Sequence, residues 1–344
     1  MMNKTPTVSA KEAFEALSAV GFPKTYVQRL LPDWWDNALF KTSSGAIEFA
    51  SIVKQRLGVD VKFDQEGELR VLASDRAARF KRRASTKESE LQISATLGIA
   101  LAKLALHCTP KPYAALPSDP KKLASRIREF TGKPAVSFKD LVDFCWDAGV
   151  PVLFLKDVPK ATKRVTGMAV RIESRPAIVL GFQSNQNARQ LFVLAHELAH
   201  ICLGHVSQTG VLIDEGLHTI TDAIDGAPME RQDNEEKQAD QFALTFLRNG
   251  ASATLRGGAR FTSASELAGT AALEGVARGI DPGHLVMSYA KEHEDWRIGN
   301  LATSYFPDSN TANAVLRQSF RAQARLDRLT DENRDYLLEV QGFQ

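Results

Sequence analysis

Apolar positions recur first at helical spacing. In residues 9–20, SAKEAFEALSAV, the apolar side chains fall three and four apart, Ser9 stands as an N-cap with Glu12 three residues on, and Gly21 and Pro23 stop the run. SSGAIEFASIVKQRLGVD repeats that form from Ser43, with Ile47, Ala50, Ile52, Val53 and Leu57 as its apolar positions. LPDWWDNALF lies between, and its adjacent Trp34 and Trp35 read as core anchors of a small helical module. Leu91–Cys108 is the most apolar long run. Gln92, Ser94, Thr96 and Lys103 interrupt it, so it reads as a core helix and not a membrane span. Four prolines in HCTPKPYAALPSDP mark a boundary. Two short helices follow, DPKKLASRIREF and SFKDLVDFCWDAGV, and then the apolar strand PVLFL.

The period then changes to two. TGMAVRI and PAIVLGF, separated by Glu173, Ser174 and Arg175, predict an antiparallel hairpin, with Pro176 marking its strand as an edge. NARQLFVLAHELAHICLG predicts a long helix ending at Gly204. A polar, Gly-containing loop is expected over about 207–231, and NEEKQADQFALTFLRNG predicts the next helix, closed by Gly250. Further helices are expected near 263–274, 282–292, 311–326 and 330–340.

Composition narrows the classes. With 44% hydrophobic and 24% charged residues the chain reads as globular, and a net charge of +2 gives no overall drive toward nucleic acid or membrane. Three cysteines without CxxC spacing argue against a disulfide framework and fit a reducing, cytoplasmic setting. The first thirty residues show no signal-peptide pattern. The segment RAARFKRRASTK reads as a solvated linker or helix end. Its cluster Lys81, Arg82 and Arg83 is the candidate nucleic-acid contact, a backbone-type contact only.

The chemistry concentrates in FVLAHELAHICLGH. His196 and His200, four apart, share one helix face and both imidazoles can reach one ion, with Glu197 beside them as general base toward the water that the ion activates. Chance would give the pattern in a chain of this length on the order of once in a hundred. Two buried histidines and a buried glutamate otherwise cost desolvation, which a cation removes at once. Zinc suits such ligands. The third ligand is expected from NEEKQADQFA. Glu236 has Asp240 one turn later to orient a ligand histidine, while Glu235 is the rival ligand without such a partner. His205, past the Gly204 stop and out of step with the metzincin spacing, reads as an exposed or capping residue. His218, between the motif helices, is the candidate donor to the oxyanion, ahead of His205, and the edge near 177–182 is a place for an extended substrate to add as a strand.

ARQLFVLAHELAHICLGH, preceded by PAIVLGF and followed by NEEKQADQFAL, resembles the ImmA/IrrE-type zinc peptidases of gluzincin-like architecture. The family pattern is met at Arg189, His196, Glu197, His200, Glu236, Ala239, Asp240, Phe242 and Ala243. GIDPGHLVMSYA looks like the family's closing helical segment, and the likeness covers roughly residues 110–306. The resemblance implies a cytoplasmic zinc metalloendopeptidase with one Zn2+ that cleaves a helix-turn-helix repressor encoded nearby, in stress-response, mobile-element or phage-defence regulation. The fold expected is α+β: a mainly helical amino-terminal module over 1–108, a zincin-like domain over 109–306 with a small antiparallel sheet on the HExxH helix, and a helical extension over 307–344. The amino-terminal module lacks a clear helix-turn-helix signature, and the last forty residues lack a strand pattern for a sensor domain. The alternative is a regulatory DNA- or repressor-binding protein whose zinc is structural or weakly active.

Overall fold

The computed structural model describes residues 9–63, 69–72, 78–81, 88–206, 210–214 and 234–344. Helix α1 (Ala10–Ala19) begins in the expected capping box, Ser9 and Glu12 each bonding the other's backbone N–H. With α2 (Lys24–Leu30) and α3 (Ser43–Leu57) it encloses an aromatic cluster in which the Phe14, Phe40 and Phe49 rings meet edge to face. Trp35 joins that cluster, but Trp34 is 48% exposed, so the two tryptophans part roles. Strands β1 (Val61–Phe63) and β2 (Leu69–Val71) form a separate antiparallel pair.

Among the described residues the main sheet has five strands. In chain order they are β3 (Ala78–Lys81), β4 (Val152–Phe154), β5 (Gly167–Ile172), β6 (Arg175–Leu180) and β7 (Gly210–Asp214). In space the order is β3-β7-β5-β6-β4. The expected β5–β6 hairpin is present, turning through Glu173 and Ser174, which both take positive φ as a type I′ turn demands. Three expectations are corrected. The sheet is mixed, since β3 pairs with β7 and β4 with β6 in parallel. The basic segment and the polar loop each contribute a strand, β3 and β7. And β6 lies between two neighbours, so it offers no free edge to a substrate over 178–180. Its Pro176 is tolerated because β4 pairs only from Ile178 onward.

Successive residues of a strand face opposite ways, and β5 uses both faces. A side chain at Gly167 would run into Glu197 of α7 (Asn187–Cys202), whereas Met168 beside it packs on Gly98 of α4 (Glu88–Cys108). The sheet is therefore covered by α7 on one face and α4 on the other. Leu91–Cys108 is long and apolar enough to cross a membrane, but 78% of it is buried here as the sheet's far cover. Around α7 stand α6 (Phe138–Asp147), α8 (Asn234–Leu247) and α10 (Pro282–Glu292). Helix α10 comes close because Gly283 leaves room for Ala188. The remaining helices are α5 (Pro120–Thr131), α9 (Ala264–Arg278), α11 (Trp296–Thr303), α12 (Ala312–Gln323) and α13 (Asp331–Gln341). Of these only α11 escapes the periodicity reading. Helix α13 seals β4: buried Phe154 N–H donates to Gln341 Oε1 at 3.2 Å, and Lys156 and Asp157 N–H donate to the Val340 carbonyl. The chain is an α-rich α+β protein.

Candidate metal centre

Helix α7 is apolar on nearly every side, which fits a helix enclosed by a sheet and three helices. His196, Glu197 and His200 are all 0% exposed within it. The i, i+4 spacing sets both imidazoles toward α8, whose apolar stripe of Ala239, Phe242, Ala243 and Phe246 packs inward and carries Glu236 and Asp240 with it. The Glu236 carboxylate reaches both rings, Oε2 to His196 Nε2 at 3.2 Å and Oε1 to His200 Nε2 at 3.3 Å, and the two Nε2 atoms are 2.9 Å apart. One donor atom from each of the three lies within 4.8 Å of the others. Ligands of a tetrahedral zinc stand roughly 3.3 Å from one another at bond lengths of about 2.0–2.1 Å. Each imidazole already stands at about that distance from one oxygen of the Glu236 carboxylate, His196 from Oε2 and His200 from Oε1, and two imidazoles with a carboxylate are a donor set that suits a borderline-soft divalent ion.

Each histidine is also held from behind. Asp240 Oδ1 is 2.8 Å from His196 Nδ1. His205 Nδ1 is 2.9 Å from His200 Nδ1, and Gln238 Oε1 is 3.1 Å from His205 Nε2. Burial alone would lower the pKa of His196, but its hydrogen bonds to Asp240 and Glu236 outweigh it and hold it well above 6.5. Burial, reinforced by charge on His196, pushes His200 down to about 4. Burial likewise works against the Glu236 carboxylate, yet the bonds from the two histidines hold its carboxyl well below the usual carboxylate range.

The structure brings His196, His200, Glu236 and Asp240 into one place, with Glu197 buried next to His196 on α7, and Glu236, rather than Glu235, has its carboxylate on both rings. His205 is corrected: at 8% exposure it is a buried partner of His200, not an exposed cap. The reason is local. Gly204 takes φ 73°, which turns the chain back so that His205 N–H bonds the His200 carbonyl at 3.0 Å. Arg189 lies away from the centre, bonding Asn300 and facing the Trp296 ring. His218, Arg82 and Arg83 lie outside the described residues, and Lys81 ends β3. Two participants escaped the sequence reading. Gln238 sits between Glu236 and Asp240 on α8. Gly167 opens β5 where even a methyl group would come within 2.7 Å of Glu197 Cγ and Cδ. The signal for Gly167 was present as a glycine opening the first strand of the expected hairpin.

Residues 145–255, roughly a third of the chain, match the model of the IrrE N-terminal-like domain, Peptidase_M78. This segment, which contains both α7 and α8, is similar to the ImmA/IrrE family, a metallopeptidase-type family to which peptidase activity belongs in general. No curated protein and no solved structure gives a significant match to the chain.

Proposed function

We propose that the chain is a zinc-dependent endopeptidase acting on a protein substrate, with a DNA-binding repressor encoded nearby as the expected target and the cytoplasm as its setting. The zincin-like core would lie within 109–306, with 1–108 and 307–344 as attached helical parts. The reading is carried by one observation: three converging donors, His196, His200 and Glu236, share their helix pair with a buried Glu197 that is not itself one of the three. A purely structural site has no use for that fourth group.

Zinc, when held by those three residues, supplies a Lewis acid that polarises the scissile carbonyl and acidifies water. Glu197 accepts the proton of the attacking water and passes it to the leaving amine nitrogen. Its position is set by α7 and by the space that Gly167 leaves for it. Asp240, 2.8 Å from His196 Nδ1, would accept the proton there and leave the Nε2 lone pair for a metal.

The test is to incubate the protein with the product of the adjacent regulator gene and identify fragments by mass spectrometry, for wild type and Glu197→Gln, with zinc content measured on both. The expected result is defined fragments from wild type alone, at equal zinc. A Glu197→Gln protein that keeps its metal and cleaves as wild type does would refute the enzyme reading. Equal biological activity without any cleavage would favour the regulatory alternative.

A further inference from the structure

We infer that His205 and Gln238 form a relay that selects the tautomer of His200 and thereby decides whether that histidine is able to bind metal. The inference rests on the metal reading above and adds two residues to it. His200 Nε2 is the atom that faces His196 and Glu236, so binding needs its lone pair there and the proton on Nδ1. That Nδ1 faces the Nδ1 of His205 at 2.9 Å. Of two facing ring nitrogens one must donate and the other accept.

With both rings neutral, two arrangements are consistent. In the first, His200 Nδ1–H donates to a bare His205 Nδ1, the His205 proton sits on Nε2, and that N–H donates to Gln238 Oε1 at 3.1 Å. In the second, His205 Nδ1–H donates to His200, which forces the His200 proton onto Nε2 and into the ligand cluster. The Gln238 carbonyl oxygen favours the first by accepting from His205 Nε2–H. His196 has no such choice, because its partner Asp240 as a carboxylate only accepts. The two ligand histidines are therefore held by different devices, one fixed and one able to reverse.

The Asn and Gln variants separate this role from packing. Asn Oδ1 occupies the place of the histidine Nδ1, whereas Gln reaches only toward Nε2. Zinc dissociation constants are measured by competition with a chromophoric chelator on the full chain, with circular dichroism melts of the metal-free proteins as a folding control. His205→Ala and His205→Gln are expected to weaken zinc roughly ten- to hundredfold. His205→Asn should stay close to wild type, and Gln238→Ala should fall between. In zinc-loaded wild type, nitrogen-15 NMR should place the His200 proton on Nδ1 and the His205 proton on Nε2. Gln238 is exposed, so its variant keeps the test valid if His205 variants fail to fold. Unchanged affinity in His205→Ala or in Gln238→Ala, an Asn variant no better than the Gln variant, or a His205 proton on Nδ1 would overturn the relay alone. A wild-type chain that takes up no zinc would overturn the metal reading and the relay with it.

Discussion

Replacing Gly167 by alanine isolates the position of Glu197 from every other property of the centre. The backbone of Gly167 lies outside the left-handed region, so alanine is conformationally acceptable there, and only space forbids it. The added Cβ would sit 2.7 Å from both Cγ and Cδ of Glu197. Carbon atoms in good contact stand about 3.5–4.0 Å apart, so the glutamate must retreat by about 1 Å. Its side chain can rotate to do so, which makes the protein foldable at an overpacking cost of about 1–3 kcal/mol. A misplacement of about 1 Å in a catalytic group costs on the order of a hundredfold in rate, or about 2.7 kcal/mol of barrier. The metal ligands are not touched, so zinc affinity should hold. Single-turnover cleavage of the substrate identified by fragment mapping, with zinc stoichiometry in parallel, reads both quantities. Cleavage at the wild-type rate, or loss of zinc in step with loss of rate, would show that Gly167 does not set the base.

Three further outcomes follow from the same geometry. Glu236→Gln should weaken zinc strongly while Glu235→Gln leaves the chelator-measured affinity unchanged, because only the Glu236 carboxylate meets both rings; the reverse order would reassign the ligand. His196 is held above its ordinary 6.5 and His200 is pushed to about 4, so zinc binding at pH 7 should release about one proton, from His196. Calorimetry in buffers of different ionisation enthalpy would read it. The sign for the metal-free fold follows: the His196 contribution is complete below about 6.5 and fades as pH rises through its higher folded value, so apo stability should decline on the alkaline side. Gln341→Ala strands the buried Phe154 N–H and should cost about 1–3 kcal/mol in urea unfolding, with no change in zinc affinity.

The parts of the centre that depend on short-range spacing were readable in the sequence. His196 and His200 sit one turn apart, and Glu236 and Asp240 do likewise, so each pair lies on a face that the flanking apolar stripe fixes. The hairpin was readable because its two strands are neighbours in sequence. Strands β3 and β7 were not. Their pairing is parallel and joins segments more than a hundred residues apart, and ARFK and GVLID sit within charged or glycine-bearing stretches that show no alternation of their own. The error about His205 came from the same limit. A glycine stop was correctly located at Gly204, but where the chain goes after a left-handed residue depends on the tertiary surface that it meets.

The convergence of α7 and α8 has a thermodynamic side. His200 and Glu236 are thirty-six positions apart in sequence. An ion held between them staples the two helices, because it binds where folding brings its donors together and not the open chain. Such a staple is reversible and has a tunable strength: at a free concentration a thousand times the dissociation constant it adds about 4.1 kcal/mol to the folded state. Metal supply would then regulate how long the molecule survives.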